Sequence, residues 1–158
     1  MKQEEIDARA ERAMELFRKG YNCSQSVVGS CADLFGVDKD LALRMSASFG
    51  GGIGRMRLTC GAACGMFMLE GLHSGSTIEG DHAGKAANYA HVQALAQTFK
   101  DTYGSITCAE LLGLAQVKTD TNPQPEPRTD TYYKKRPCVE MVGNAVRIFL
   151  QSIENENS

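Results

Sequence analysis

Residues 5–36 read EIDARAERAMELFRKGYNCSQSVVGSCADLFG, and this stretch decides the fold class. Ile6, Ala10, Ala13 and Phe17 recur at helical spacing with charges between them. That pattern predicts an amphipathic helix over about residues 5–19, ended by Lys19-Gly20. Asn22 is a good N-cap for a second helix from Cys23 to Phe35, which Gly36 closes. Val27, Cys31 and Leu34 continue the face that carries Cys23. Two helices joined by a short polar turn, with no period-two alternation, point to an all-α protein.

The same reading extends outward. Asp38 is an N-cap for a third helix through Leu41 and Met45 to about Ser48. Phe49-Gly50-Gly51-Gly52-Ile53-Gly54-Arg55 is too glycine-rich for regular helix. A fourth helix is predicted from Thr59-Cys60 to about Leu72, and a fifth over Ile78–Tyr103 ended by Gly104. The fifth carries Val92, Leu95, Ala96 and Phe99 as its stripe. Its small residues Ala83, Ala86, Ala87 and Ala90 would permit close packing. A short sixth helix runs from Cys108 to Gly113, and the last begins near Pro137 with Val139, Val142, Val146 and Phe149. Residues 117–136, with Pro123, Pro125 and Pro127 at alternate positions, are expected as a loop, since proline removes backbone donors. The expected architecture is an all-α bundle of about six or seven helices, one domain over residues 1–158, with the Pro-rich loop before the last helix.

Composition narrows the function. A chain of 158 residues, 42 % apolar and 23 % charged, is long enough to bury a core. A net charge of −2 gives no electrostatic reason to expect nucleic acid. No apolar run is long enough for a membrane span, and Met1–Glu5 opens no signal-peptide h-region. The chain is therefore expected in the cytoplasm and not in a membrane. In that compartment its six cysteines suggest metal binding or transient redox use rather than a disulfide framework.

Four of these cysteines stand at predicted helix starts. Asn22, Thr59 and Thr107 read as N-caps directly before Cys23, Cys60 and Cys108, with Glu110 completing a capping-box pattern, and Cys138 follows Pro137. A sulfur there meets the positive end of the helix dipole, which favours thiolate over thiol. Cys31 lies about 12 Å along its helix from Cys23 and reads as a core residue. Cys64 is one turn from Cys60, about 6 Å in rise, close enough to add a thiol, although packing is the stronger reading.

The motifs around these positions resemble the C-GCAxxG-C-C family of redox-active proteins. They are Gly20-Tyr21-Asn22-Cys23-Ser24-Gln25-Ser26-Val27, Phe49 to Arg55, Thr59-Cys60-Gly61-Ala62-Ala63-Cys64-Gly65, Gly104-Ser105-Ile106-Thr107-Cys108 with Leu111-Leu112-Gly113, and Pro137-Cys138. The likeness spans about residues 8–150. It maps the family's four cysteines onto Cys23, Cys60, Cys108 and Cys138, and implies redox activity with a redox partner, in a transporter-associated setting.

Two chemistries use four such cysteines. One cycles a pair between dithiol and disulfide, with acidic thiolates as nucleophiles. The other holds a metal or iron–sulfur cluster on four thiolates for electron transfer or sensing. Zinc is the weaker metal candidate and a thioredoxin-type site is excluded, because no Cys-x-x-Cys exists. The glycine turn matches neither a Walker A nor a dinucleotide fingerprint. Its place before Cys60 makes Gly51, Gly52, Gly54 and Arg55 candidates to approach a sulfur or a bound anion, with Arg57 adding positive field. His73, His82 and His91 lack the spacing of a helical metal clamp and read as surface or supporting residues, and no carboxylate pair stands out.

Overall fold

A computed structural model describes residues 1–113 and 121–158, the side chains of residues 134 and 135 excepted. Among the described residues it is all-helical, with eight α-helices, six of them of seven residues or more. They are α1 (Gln3–Arg18), α2 (Cys23–Cys31), α3 (Lys39–Ser46), α4 (Gly61–Ser74), α5 (His82–Tyr103), α6 (Cys108–Leu111), α7 (Asp130–Lys135) and α8 (Cys138–Glu156).

The helix boundaries follow local chemistry. Asn22 closes a complete capping box: its side chain accepts from Gln25 N at 2.9 Å while Gln25 Oε1 accepts from Asn22 N at 3.1 Å. Asp38 caps α3 by accepting from Leu41 N at 3.1 Å. The second helix tightens into a 3-10 turn over Ala32–Phe35 before Gly36. The fifth starts at His82 rather than Ile78, because Asp81 accepts from Gly84 N and Gly80 turns the chain with φ 77°.

The core joins α1, α2, α4 and α8 around Phe17, Val27, Met66, Leu69, Val142 and Phe149, with Phe99 entering from α5. Gly61 and Gly65 let α2 approach α4 closely: a Cβ at Gly65 would stand 2.7 Å from Val27 Cβ, and one at Gly61 would stand 3.0 Å from Cys23 Cβ. That approach sets Cys23 against the start of α4. The expected tight packing of Ala83, Ala86, Ala87 and Ala90 does not occur, since all four are exposed and α5 buries only Leu95 and Phe99.

The expected loop over 117–136 contains a helix. Thr129 accepts from Tyr132 N and starts α7, while the part of the loop at 117–120 lies outside the described residues. The stretch before α7 is tied to α1 by Arg128, which donates to Phe17 O at 2.8 Å and Tyr21 O at 3.1 Å. Its guanidinium lies 4.1 Å from the Phe17 ring centroid. Phe17 O also accepts from Gly20 N at 3.1 Å, so Arg128 adds a second donor at the helix end and one to Tyr21 O just beyond it.

Candidate functional site

Cys23, Cys60, Cys108 and Cys138 all line one cavity of about 480 Å³, within the range of small-molecule sites. Gly50, Gly51, Gly52 and Gly54 form part of its wall, and Arg55, Arg57, Arg128 and Arg136 also line it. All six cysteines are free thiols. Cys31 and Cys64 do not line the cavity: Cys31 is fully buried beside Ser30, and Cys64 Sγ donates to Thr59 O at 3.8 Å.

Backbone pairing joins the start of α4 to the start of α6, with Cys60 and Cys108 flanking the join on opposite segments. Thr59 and Thr107 form an isolated antiparallel bridge, and around it Cys60 N donates to Ile106 O at 2.7 Å and Cys108 N to Leu58 O at 2.6 Å. The expectation that both threonines cap their helices is therefore corrected. Cys60 itself occupies the N-cap position of α4, and Thr107 makes no side-chain cap bond. At Thr107 the amide a cap would accept from, Ala109 N, already donates to Arg57 O at 3.2 Å. The capping box expected with Glu110 does not form either; Ser105 Oγ donates to Glu110 and accepts from Thr107 N at 2.9 Å. Thr107→Ala should thus change stability by less than about 0.5 kcal/mol, whereas Ser105→Ala, which breaks two hydrogen bonds, should cost about 1 kcal/mol. Urea denaturation of the two variants checks this, and the reverse ranking would refute the role given to Ser105.

The glycine turn winds the unusual way. Residues 51–55 all have positive φ, including Ile53 at 64° and Arg55 at 62°, and Arg57 follows at 61°. For residues bearing a Cβ this conformation is disfavoured, and such strain clusters at functional sites. The turn holds because its amides are used: Gly54 N donates to Ser48 O, Arg55 N to Gly50 O, Arg57 N to Gly51 O and Leu58 N to Gly52 O. Gly52 lies hard against a cysteine, where an added Cβ would stand 2.6 Å from Cys108 Cβ. Arg55 reaches across to the segment before α7, donating to Asn122 O and pairing with Glu126 at 3.5 Å.

The expected common thiolate character is also corrected. Burial pushes Cys60 up to about 12, although the N–H groups of Ala62 and Ala63 face its sulfur and work the other way. Cys108 is raised by burial, against the pull of Arg57, whose Nη1 lies 3.7 Å from its sulfur. Cys138 alone is lowered, from 9.0 to about 7. The main cause is the hydrogen bond from Cys23, assisted by the fields of Arg136, Arg128 and Arg57. Cys23 is correspondingly raised, first by that hydrogen bond and then by burial. A helix dipole is worth about 1 kcal/mol at such a site, and desolvation of a buried thiolate exceeds it unless a donor and cations stand alongside.

Arg128 and Arg136 were not identified from the sequence as site residues. Arg136 directly precedes Pro137-Cys138, a signal that was available. Arg128 sits among the prolines, and only its anchoring on α1 brings it to the sulfur.

The match to known families follows the same residues. A family model described as "Putative redox-active protein (C_GCAxxG_C_C)" matches residues 21–152, and the chain belongs to that family. No curated protein and no solved structure matches the chain. No described helix is long and apolar enough to cross a membrane.

Proposed function

We propose that this protein is a cytoplasmic single-domain thiol redox protein in which Cys138 attacks and Cys23 resolves. The observation that carries this reading is that Cys23 and Cys138 line one cavity edged by Arg55, Arg57, Arg128 and Arg136, where the neighbouring Cys23 thiol and the arginine fields hold Cys138 alone among the four below its ordinary value. A thiol with a pKa near working pH combines a useful thiolate fraction with good nucleophilicity. In the forward step the Cys138 thiolate attacks a disulfide of a partner. A mixed disulfide forms and the partner's other sulfur leaves as thiolate. Cys23 gives its proton to that leaving thiolate and attacks Cys138 Sγ. The Cys23–Cys138 disulfide forms and the partner's remaining sulfur departs. The partner has gained two electrons and the protein has lost two; a reducing dithiol partner restores the pair. Cys60 and Cys108, which flank the backbone bridge and line the same cavity, supply a second pair for internal exchange. Gly51, Gly52, Gly54 and Arg55 shape the wall against which the partner segment rests.

The reading is tested by incubating reduced protein with glutathione disulfide and mapping the products by mass spectrometry. Cys23→Ser should accumulate glutathione on Cys138, and Cys138→Ser should react far more slowly than the native protein. A Cys138→Ser variant that is oxidised at the native rate would refute it.

A second reading has its own support, because four cysteine sulfurs lining one cavity are a donor set suited to a metal or iron–sulfur centre. Visible absorption with stoichiometric iron and sulfide in anaerobically isolated protein would decide for the cluster. Colourless protein with titratable thiols would decide for the dithiol.

A further inference from the structure

A second cluster of chemistry-bearing side chains lies where α4, α5 and the end of α8 meet, and none of its members lines the cysteine cavity. Glu70 of α4 is 0 % exposed. Its Oε1 lies 2.9 Å from His91 Nδ1 and accepts from Ser74 Oγ at 2.6 Å. Its Oε2 is buried and has no hydrogen-bond partner among the described residues. Glu156, the last residue of α8, brings a second carboxylate to the same imidazole nitrogen, with Oε1 at 3.5 Å.

A single ring nitrogen carries one proton, yet here it faces oxygens from two carboxyl groups. Burying such a group without full compensation is costly. A divalent cation in place of that proton would serve both carboxyls and the imidazole together.

The geometry fits this exchange. The three donor atoms lie within 4.8 Å of one another. A metal about 2.0–2.2 Å from each donor sets neighbouring donors roughly 3–3.5 Å apart, and the two contacts of His91 already match that spacing. The supporting contacts are of the kind that orient ligands: Asn88 Nδ2 donates to Ser74 Oγ at 3.0 Å, and His73 Nε2 lies 2.9 Å from Glu156 Oε2. His91 and Glu156 are 37 % and 35 % exposed, which leaves a path for an ion and room for water ligands.

We infer that Glu70, His91 and Glu156 form a binding site for one divalent first-row transition-metal ion. One imidazole with two carboxylates favours manganese, iron, cobalt or zinc over calcium or magnesium.

The test uses reduced full-length protein and Mn²⁺, an ion with little affinity for thiolates. Uptake is read from loss of the free-ion electron paramagnetic resonance signal. Uptake saturating at one ion per chain is expected, and Glu156→Gln, at the exposed last turn of α8, should weaken binding at least tenfold while keeping the native helical circular dichroism. Cys138→Ser should bind as the native protein does, which separates this site from the cysteine cavity. Absence of uptake, affinities of native protein and Glu156→Gln within tenfold of each other, or loss of uptake in Cys138→Ser would each overturn the assignment. Any of these would leave the cluster as a hydrogen-bonded tie between three helices.

Discussion

Gly52→Ala is expected to destabilise the protein by about 2–4 kcal/mol, a large share of the 5–15 kcal/mol typical of a folded domain. The added Cβ would meet Cys108 Cβ at 2.6 Å, Leu58 N at 2.7 Å and Arg57 Cα at 2.8 Å, and two of these are backbone atoms that no rotamer change can move. A positive φ of 74° adds about 1 kcal/mol of conformational cost. Gly54→Ala is the control. It shares the positive φ, at 57°, but its nearest neighbour would be Ser48 O at 3.9 Å, so only the conformational cost of about 1 kcal/mol applies. Urea midpoints measure the difference. Equal losses in the two variants would show that close approach to Cys108 is not what fixes a glycine at position 52.

The second large effect is on reactivity. Alkylation of Cys138 by iodoacetamide should rise with pH around a midpoint near 7, because only the thiolate reacts and its pKa is lowered to about 7. Cys23→Ala removes the largest cause of that lowering, and the midpoint should move up toward the ordinary value of 9.0. At pH 7 a shift of that full size would cut the thiolate fraction, and with it the initial rate, by about fifty-fold. Arg136→Gln should move the midpoint in the same direction by less, since its field ranks below the hydrogen bond. A midpoint unmoved in Cys23→Ala would mean that the arginines, not the neighbouring thiol, set the acidity of Cys138.

Much of the helical frame was legible because its signals are local. Gly20, Gly36 and Gly104 stop helices with positive φ, and Asn22 and Asp38 cap through their own side chains, so a few neighbouring residues suffice to read them. The four cysteine positions were legible for the same reason, as isolated residues at helix starts. Long-range pairing is what escaped. The bridge between Thr59 and Thr107 uses only peptide groups, which carry no residue signature. Arg128 finds Phe17 across more than a hundred residues of chain. Glu70 did leave a trace, since it interrupts the apolar run Met66-Phe67-Met68-Leu69 on the face continued from Ala63 and Met66. Its partners His91 and Glu156 lie on two other helices, so the run alone did not disclose them. The sequence reading also overestimated the helix dipole, because desolvation depends on burial that no single motif reports.

The clasp around Thr59 and Thr107 divides two tasks between different parts of the same residues. Cys60 and Cys108 hold the frame with their amide N–H groups and present their chemistry with their sulfurs. Serine at either position keeps the amide and loses the thiol, so the scaffold survives while the second pair is lost and Cys23 and Cys138 stay in place. A descendant of this chain that traded both thiols for hydroxyls would keep the frame and present a differently lined wall to a new occupant. Proline is the one replacement that would take the frame as well, because it alone deletes the donor.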